Sequence, residues 1–263
     1  MLGEKCEALH KSHIDAWDSR DSENLRLIYS EDIVHFDGRP IFVGIDQVVD
    51  MARAMFIQFP NLQMEVGKTY ISKDACLGTW TFWGIFGISE NDPGLEFDLL
   101  ETQDGKISFW RLYYGQNYFD SLSKDMVDDD FLLNFASSWS SGRSSKIGKL
   151  YAQDANLEDS LHGISVKGNQ PIKEYASGFF AKSPEAKWEL VYPFAEDDVE
   201  WGFKEQYPFP SQGGIFSITI NDAEGNPCEI HAVVILTPNE ERAIQTQKIF
   251  YEANTLLTCG WAK

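Results

Sequence analysis

The chain has 263 residues, 43 % hydrophobic and 24 % charged, with 41 acidic against 22 basic side chains and a net charge of −19. That balance excludes a disordered or collagen-like chain, and its sign opposes a phosphate backbone or an anionic lipid surface, so neither nucleic acid nor membrane is an expected partner. No apolar run approaches the ~18 residues of a membrane-spanning helix, and the acidic start Met1-Leu2-Gly3-Glu4-Lys5-Cys6-Glu7 lacks the pattern of a secretory leader, so the expected location is the cytoplasm.

In chain order, Leu9, His13, Ala16 and Trp17 fall at helical spacing. Leu25, Ile28 and Tyr29 resume it after the break at Asp18-Ser19-Arg20-Asp21, so this segment reads as two helices. A short strand ending in an acid follows at Ile33–Asp37, then a helix over Ile45–Phe59. Four strands rich in β-branched and aromatic residues come next, at Leu62–Ser72, Ala75–Ile88, Leu95–Thr102 and Ile107–Phe119. Asp120–Asp130 carries five Asp and one Lys and reads as an acidic linker. The series then restarts, with an acid-ended strand at Ala155–Asp159 and a helix at Gln170–Ala181. Cys6, Cys76, Cys228 and Cys259 show neither a CxxC pair nor zinc-ligand spacing, and read as free, reduced thiols.

The restart is a repeat. A shift of 122 lays Trp17 on Trp139, Ile28 on Leu150, Tyr29 on Tyr151, Asp32 on Asp154 and Asp37 on Asp159. Two residues of drift lay Gly44 on Gly168 and Pro60 on Pro184. Further on, Trp80 falls on Trp201, and Lys106-Ile107 on Lys248-Ile249, so the second copy has gained about twenty residues. The expected organisation is domain 1 at 1–119, a linker at 120–130 and domain 2 at 131–263. Helices followed by runs of strands make each an α+β domain, a curved antiparallel sheet wrapped on three helices.

Leu27-Ile28-Tyr29-Ser30-Glu31-Asp32-Ile33-Val34-His35-Phe36-Asp37, Gly44-Ile45-Asp46 and Gly105-Lys106-Ile107-Ser108-Phe109-Trp110-Arg111 carry a resemblance. So do Leu150–Asp159 and His162-Gly163 in the second half. Helix, helix, strand, acid, helix and then long strands resembles the nuclear transport factor 2-like cone. Its enzymatic branch includes SnoaL-like polyketide cyclases, ketosteroid isomerases and scytalone dehydratases. The resemblance spans nearly the whole chain as two tandem copies, and this superfold hosts enzymes, carriers and docking modules alike.

By that resemblance the base position is Asp37, the first-helix donor is His13 in place of a Tyr, and the strand acid is Asp98. Asp37 would take a proton from carbon beside a carbonyl, while His13 and a protonated Asp98 donate hydrogen bonds to the growing oxyanion. Strand alternation then turns Thr81, Trp83, Trp110, Leu112 and Tyr114 into the cavity, with Met51 and Met55 as its lid. The ligand would be a small apolar molecule, with no cofactor and no metal. His10, His13 and Asp37 lack facial-triad spacing. The same residues also read as a satisfied core histidine, a turn-capping Asp and a solid aromatic core.

The second copy keeps Asp159 at the base position but has Phe135 at the donor position and Val233 or Val234 at the acid position. His231 is its candidate partner for Asp159, and His162 follows Asp159 by three. Domain 2 is therefore expected to be the divergent copy. Trp80, Phe82, Trp201 and Phe203 are predicted on the backs of the sheets, which would pack the domains as an internal pseudo-dimer, with further oligomerisation left open. The expected activity is that of a cofactor-independent isomerase, dehydratase or cyclase. The alternatives are a non-catalytic ligand-binding protein and a protein-interaction module.

Overall fold

The computed structural model describes residues 2–37, 41–73, 75–85, 87–121, 127–196, 211–222 and 224–260. The chain divides into two compact units, one built on Met1–Met126 and the other on Val127–Ala195 and Phe203–Lys263.

Unit 1 begins with helix α1 (Leu2–Asp18), a 3-10 turn (Ser22–Asn24) and the short α2 (Leu25–Ile28). Asp21 restarts the helical path after the break, its side chain accepting the Glu23 backbone N–H. Strands β1 (Tyr29–Phe36) and β2 (Ile41–Val43) lead into α3 (Ile45–Gln58). Strands β3 (Gln63–Ile71), β4 (Cys76–Trp83), β5 (Gly94–Gln103) and β6 (Lys106–Gly115) complete the sheet, and α4 (Gln116–Ser121) follows. The sheet order is β2-β1-β6-β5-β4-β3, antiparallel throughout except for the parallel pair β1–β6. Gly44 makes the entry to α3 possible. Its φ of 89° suits only glycine, and its N–H donates to Ile33 O at 2.8 Å.

Residues paired across strands share a face. Asp98 pairs with Gly78 on β4 and Leu112 on β6, and Glu96 pairs with Trp80 and Tyr114. Trp80 and Phe82 therefore share the face of Asp98, while Thr81 and Trp83 point the other way. This reverses the predicted wall. A one-residue slip exchanges the faces of a strand, and Trp80-Thr81-Phe82-Trp83 has bulky residues on both faces, so its own pattern could not fix the register. Trp110, Leu112 and Tyr114 do share the Asp98 face.

Unit 2 begins with α5 (Asp129–Ser140) and α6 (Ser144–Gly148), then β7 (Tyr151–Asp159), a 3-10 turn (Ser160–His162) and β8 (Ile164–Lys167). Helix α7 (Asn169–Lys182), strands β9 (Lys187–Ala195), β10 (Gln212–Asn221), β11 (Pro227–Pro238) and β12 (Ile244–Glu252), and α8 (Ala253–Thr258) complete it. Its strands run in the order β8-β7-β12-β11-β10-β9, with β7–β12 parallel. Gly168 enters α7 at φ 95°, its N–H on Ala155 O at 2.7 Å. Ile107 opposes Tyr29 and Ile244 opposes Tyr151, an offset of 137 where Lys106-Ile107 and Lys248-Ile249 had implied 142.

The cysteines are not free. Cys6–Cys76 and Cys228–Cys259 form disulfides with Cα separations of 5.4 and 5.7 Å. The partners are 70 and 31 residues apart, so only tertiary packing brings them together and local spacing carried no sign of it. Among the described residues no helix is long and apolar enough to cross a membrane. Trp201 and Phe203, on which the back-to-back pairing partly rested, lie outside the described residues, as do residues 122–126 of the acidic linker.

Candidate functional site

Unit 1 brings His13 and Asp98 together in its core. Trp110 Nε1–H donates to Asp98 Oδ1 at 2.7 Å. His13 Nε2 lies 3.3 Å and His10 Nε2 3.6 Å from Asp98 Oδ2. Trp17 Nε1–H donates to the Tyr29 hydroxyl, which meets His13 Nδ1, both at 2.9 Å.

Burial pushes the Asp98 carboxyl up, but the facing His13 and His10 outweigh it and hold the group well below the usual carboxylate range. Asp98 is thus an ionised acceptor, not the protonated donor expected. The space against it is filled. The Trp110 ring stacks on His35 at 3.7 Å and meets His13 at 4.7 Å and Trp17 at 5.3 Å. His35 belongs to this stack rather than to Asp37. Burial lowers its pKa to about 3, so it stays neutral.

Asp37 lies elsewhere, at the end of β1, where the Tyr114 hydroxyl donates to it. Glu96, on the face between, is pushed well above its usual range by burial, then by Asp98 and Asp37. Met51 and Met55 are half-buried on α3. A hollow of about 380 Å³ over Cys6 and Cys76 reaches none of His13, Asp37 or Asp98.

Unit 2 holds a cavity. It measures about 690 Å³, and Asp159, His162, Tyr175 and Tyr251 supply its polar groups. Trp139, Phe179, Trp188 and Ile249 are among its apolar walls. Local chain geometry builds the polar end. Asp159 ends β7 and caps the next turn by accepting the His162 backbone N–H at 3.4 Å. That turn carries the His162 ring back over the carboxylate, with Nδ1 at 2.9 Å from Oδ2 and 3.0 Å from Oδ1. Gly163, at φ 68°, then turns the chain into β8. From β12, Tyr251 Oη donates to Asp159 Oδ2 at 2.9 Å.

The hydrogen bond to Asp159 raises the His162 pKa above the ordinary histidine value, against a smaller opposing effect of burial. Burial, then Asp159, pushes the Tyr251 and Tyr175 hydroxyls up, so both remain protonated donors. His231 does not join this group. Its Nδ1 meets Glu252 at 2.9 Å and its Nε2 meets Glu229 at 3.3 Å. Among the described residues no three His, Cys, Asp or Glu side chains are grouped to hold a metal ion.

Several sequence candidates of unit 1 have counterparts by position on the unit 2 cavity lining. Helices α3 and α7 are both 14 residues long and both follow a positive-φ glycine. Met51, Ala54, Met55 and Gln58 thus correspond to Tyr175, Gly178, Phe179 and Lys182. The strand register matches Leu112 with Ile249 and Tyr114 with Tyr251. Asp98 corresponds to Val234, and Trp110 to Gln247. Tyr175 follows from the Gly44–Gly168 offset in the sequence, whereas Tyr251 needed the strand register.

Residues 11–110, from α1 to β6 of unit 1, match the model of the SnoaL-like domain. No curated protein matches the chain. Three similar solved structures follow. One is a hypothetical protein with a ketosteroid isomerase-like fold from Catenulispora acidiphila, in complex with trimethylamine. It is 13 % identical over 50 % of this chain and 92 % of that one, with a TM-score of 0.41. Another is SalBIII, an epoxide hydrolase/cyclase-like enzyme of pyran ring formation in salinomycin, at 16 % identity over 48 % and 91 %, TM-score 0.40. The third is an NTF2-like protein of unknown function from Mesorhizobium loti, at 18 % identity over 43 % and 93 %, TM-score 0.36.

Proposed function

We propose that unit 2 is the working half, and that it moves a proton at carbon beside the carbonyl group of a small apolar compound, without a cofactor. One observation carries this reading. A carboxylate 1 % exposed, Asp159, sits at the wall of an apolar cavity and holds an imidazole and a phenol by hydrogen bonds.

Asp159 takes up His162 Nδ1–H, so proton exchange with a ligand runs through Nε2. His162 Nε2 accepts the α-proton, and the C–H electron pair moves onto the carbonyl oxygen as an enolate. The Tyr175 hydroxyl donates a hydrogen bond to that oxygen. Asp159 steadies the imidazolium, and Tyr251 keeps the carboxylate oriented. Return of the proton to a different carbon isomerises the substrate, and loss of a β-hydroxyl dehydrates it.

The test is α-hydrogen exchange of 4-phenylcyclohexanone in D₂O, followed by proton NMR. The expected result is exchange above the buffer rate, lost in His162→Gln and retained in Asp37→Asn. Retention in His162→Gln overturns the reading. Binding without exchange favours the second reading, a non-catalytic carrier, which the same apolar cavity supports.

Two further elements belong to this proposal. The chain is a tandem duplication, supported by the matching positive-φ glycines, the Trp17–Tyr29 and Trp139–Tyr151 hydrogen bonds and the Asp37–Tyr114 and Asp159–Tyr251 pairs. The two disulfides favour an oxidising compartment over the cytoplasm expected from the sequence.

A further inference from the structure

We propose that the unit 2 cavity takes an apolar keto acid, its carbonyl at Tyr175 and His162 and its carboxylate on Lys182, two helical turns away along α7. This rests on unit 2 being the proton-transfer site and names the substrate class for it.

Tyr175, Gly178, Phe179 and Lys182 all line the cavity. Their spacing, i, i+3, i+4 and i+7, is one face of a helix. Tyr175 marks the polar end, because its hydroxyl feels the charge of Asp159. Lys182 is seven residues on, about 10 Å at a rise of ~1.5 Å per residue. It is exposed at the rim and, among the described residues, makes no ion pair with an Asp or Glu. His162, at the other end, is the second basic side chain on the lining. In a chain of net charge −19, a lysine left facing a cavity is a local exception that favours an anion.

Gly178 makes the passage between the two ends. A glycine inside a helix costs ~0.5–1 kcal/mol relative to alanine, and its φ is not in the region that requires glycine. A Cβ built there meets nothing within 4 Å, so the position opens on space instead of a packed neighbour. The apolar body of the ligand would lie over Gly178 and against Phe179. The corresponding α3 residues are Met51, Ala54, Met55 and Gln58, which offer neither phenol nor cation.

The test is calorimetric titration of the full chain with 4-(4-oxocyclohexyl)benzoate and with 4-phenylcyclohexanone, which lacks only the carboxylate. The acid is expected to bind about tenfold tighter, the scale of one charge-assisted contact. Lys182→Gln should erase that difference and leave 4-phenylcyclohexanone within about twofold of its original Kd. Gly178→Leu should weaken both ligands, and Gly178→Ala neither. Equal binding of the two compounds to the wild type, or a preference that survives Lys182→Gln, overturns the keto acid. In that event exchange of 4-phenylcyclohexanone still upholds the proton-transfer reading. Failure of either compound to bind overturns both.

Discussion

Asp159→Asn changes almost no volume and removes one buried charge. The carboxylate now holds His162 Nδ1 and Tyr251 Oη, each at 2.9 Å. An amide keeps one acceptor oxygen for Tyr251 and turns an NH₂ toward His162. The imidazole then carries its proton on Nε2, which can no longer accept one from a ligand. General-base catalysis contributes ~10²–10⁴-fold, so α-hydrogen exchange should fall by about 10²–10³.

The pH profile should move as well. Asp159 raises the His162 pKa above ~6.5, so the wild-type rate climbs as pH rises through that raised value. The variant should reach its lower plateau at a lower pH. The same shift stabilises the fold. The contribution is complete below ~pH 6.5 and is lost as pH rises through the raised folded value, and the variant lacks it. Two charge-assisted hydrogen bonds become neutral ones, each ~1 kcal/mol weaker, while the cost of burying a carboxylate disappears, so the variant should fold. NMR exchange and thermal melts across pH 5–8 read both effects. An exchange rate within about threefold of wild type, or an unmoved pH midpoint, refutes the reasoning.

Gly78→Ala should destabilise unit 1 by ~1–3 kcal/mol in urea unfolding, because a Cβ there would lie 2.0 Å from the buried His10 ring. An unchanged midpoint refutes it. Thiol titration in guanidinium without reductant should find no free thiols, and reduction should cost about 4 kcal/mol for each disulfide from loop closure; four titratable thiols would contradict the pairing. His35, at a pKa of about 3, takes no proton in the folded state until well below its unfolded value of ~6.5. Its share of stability should therefore be lost as pH falls from ~6.5 toward 3, on the order of 4 kcal/mol in all. His35→Phe should flatten the pH dependence of the urea midpoint over that range, and an unaltered slope counts against it.

Element order was legible because it rests on local signals. The break at Asp18–Asp21, the glycines before α3 and α7 and the acid-ended strands all appear where periodicity and turn chemistry placed them. What failed depended on pairing across the chain. The face of β4 needed the register of Gly78 against Asp98, and the disulfides needed α1 laid on the sheet. The protonation of Asp98 needed the arrival of two imidazoles from α1, which no property of the Leu95–Leu100 segment announces.

The choice of working half turns on what fills each interior. A family pattern marks the first copy, yet there the Trp110 indole stacks on His35 and donates to Asp98. The same buried Asp98 carboxylate faces the His13 and His10 rings. In the second copy the corresponding positions are Val234 and Gln247, so the charged cluster is gone. The buried carboxylate of Asp159 instead sits at a cavity wall, with a titratable imidazole beside it. The proposal therefore separates the family-like motif of unit 1 from the cavity of unit 2. A group that titrates against a cavity can exchange protons with a ligand, whereas one sealed under an indole can exchange them only with its neighbours.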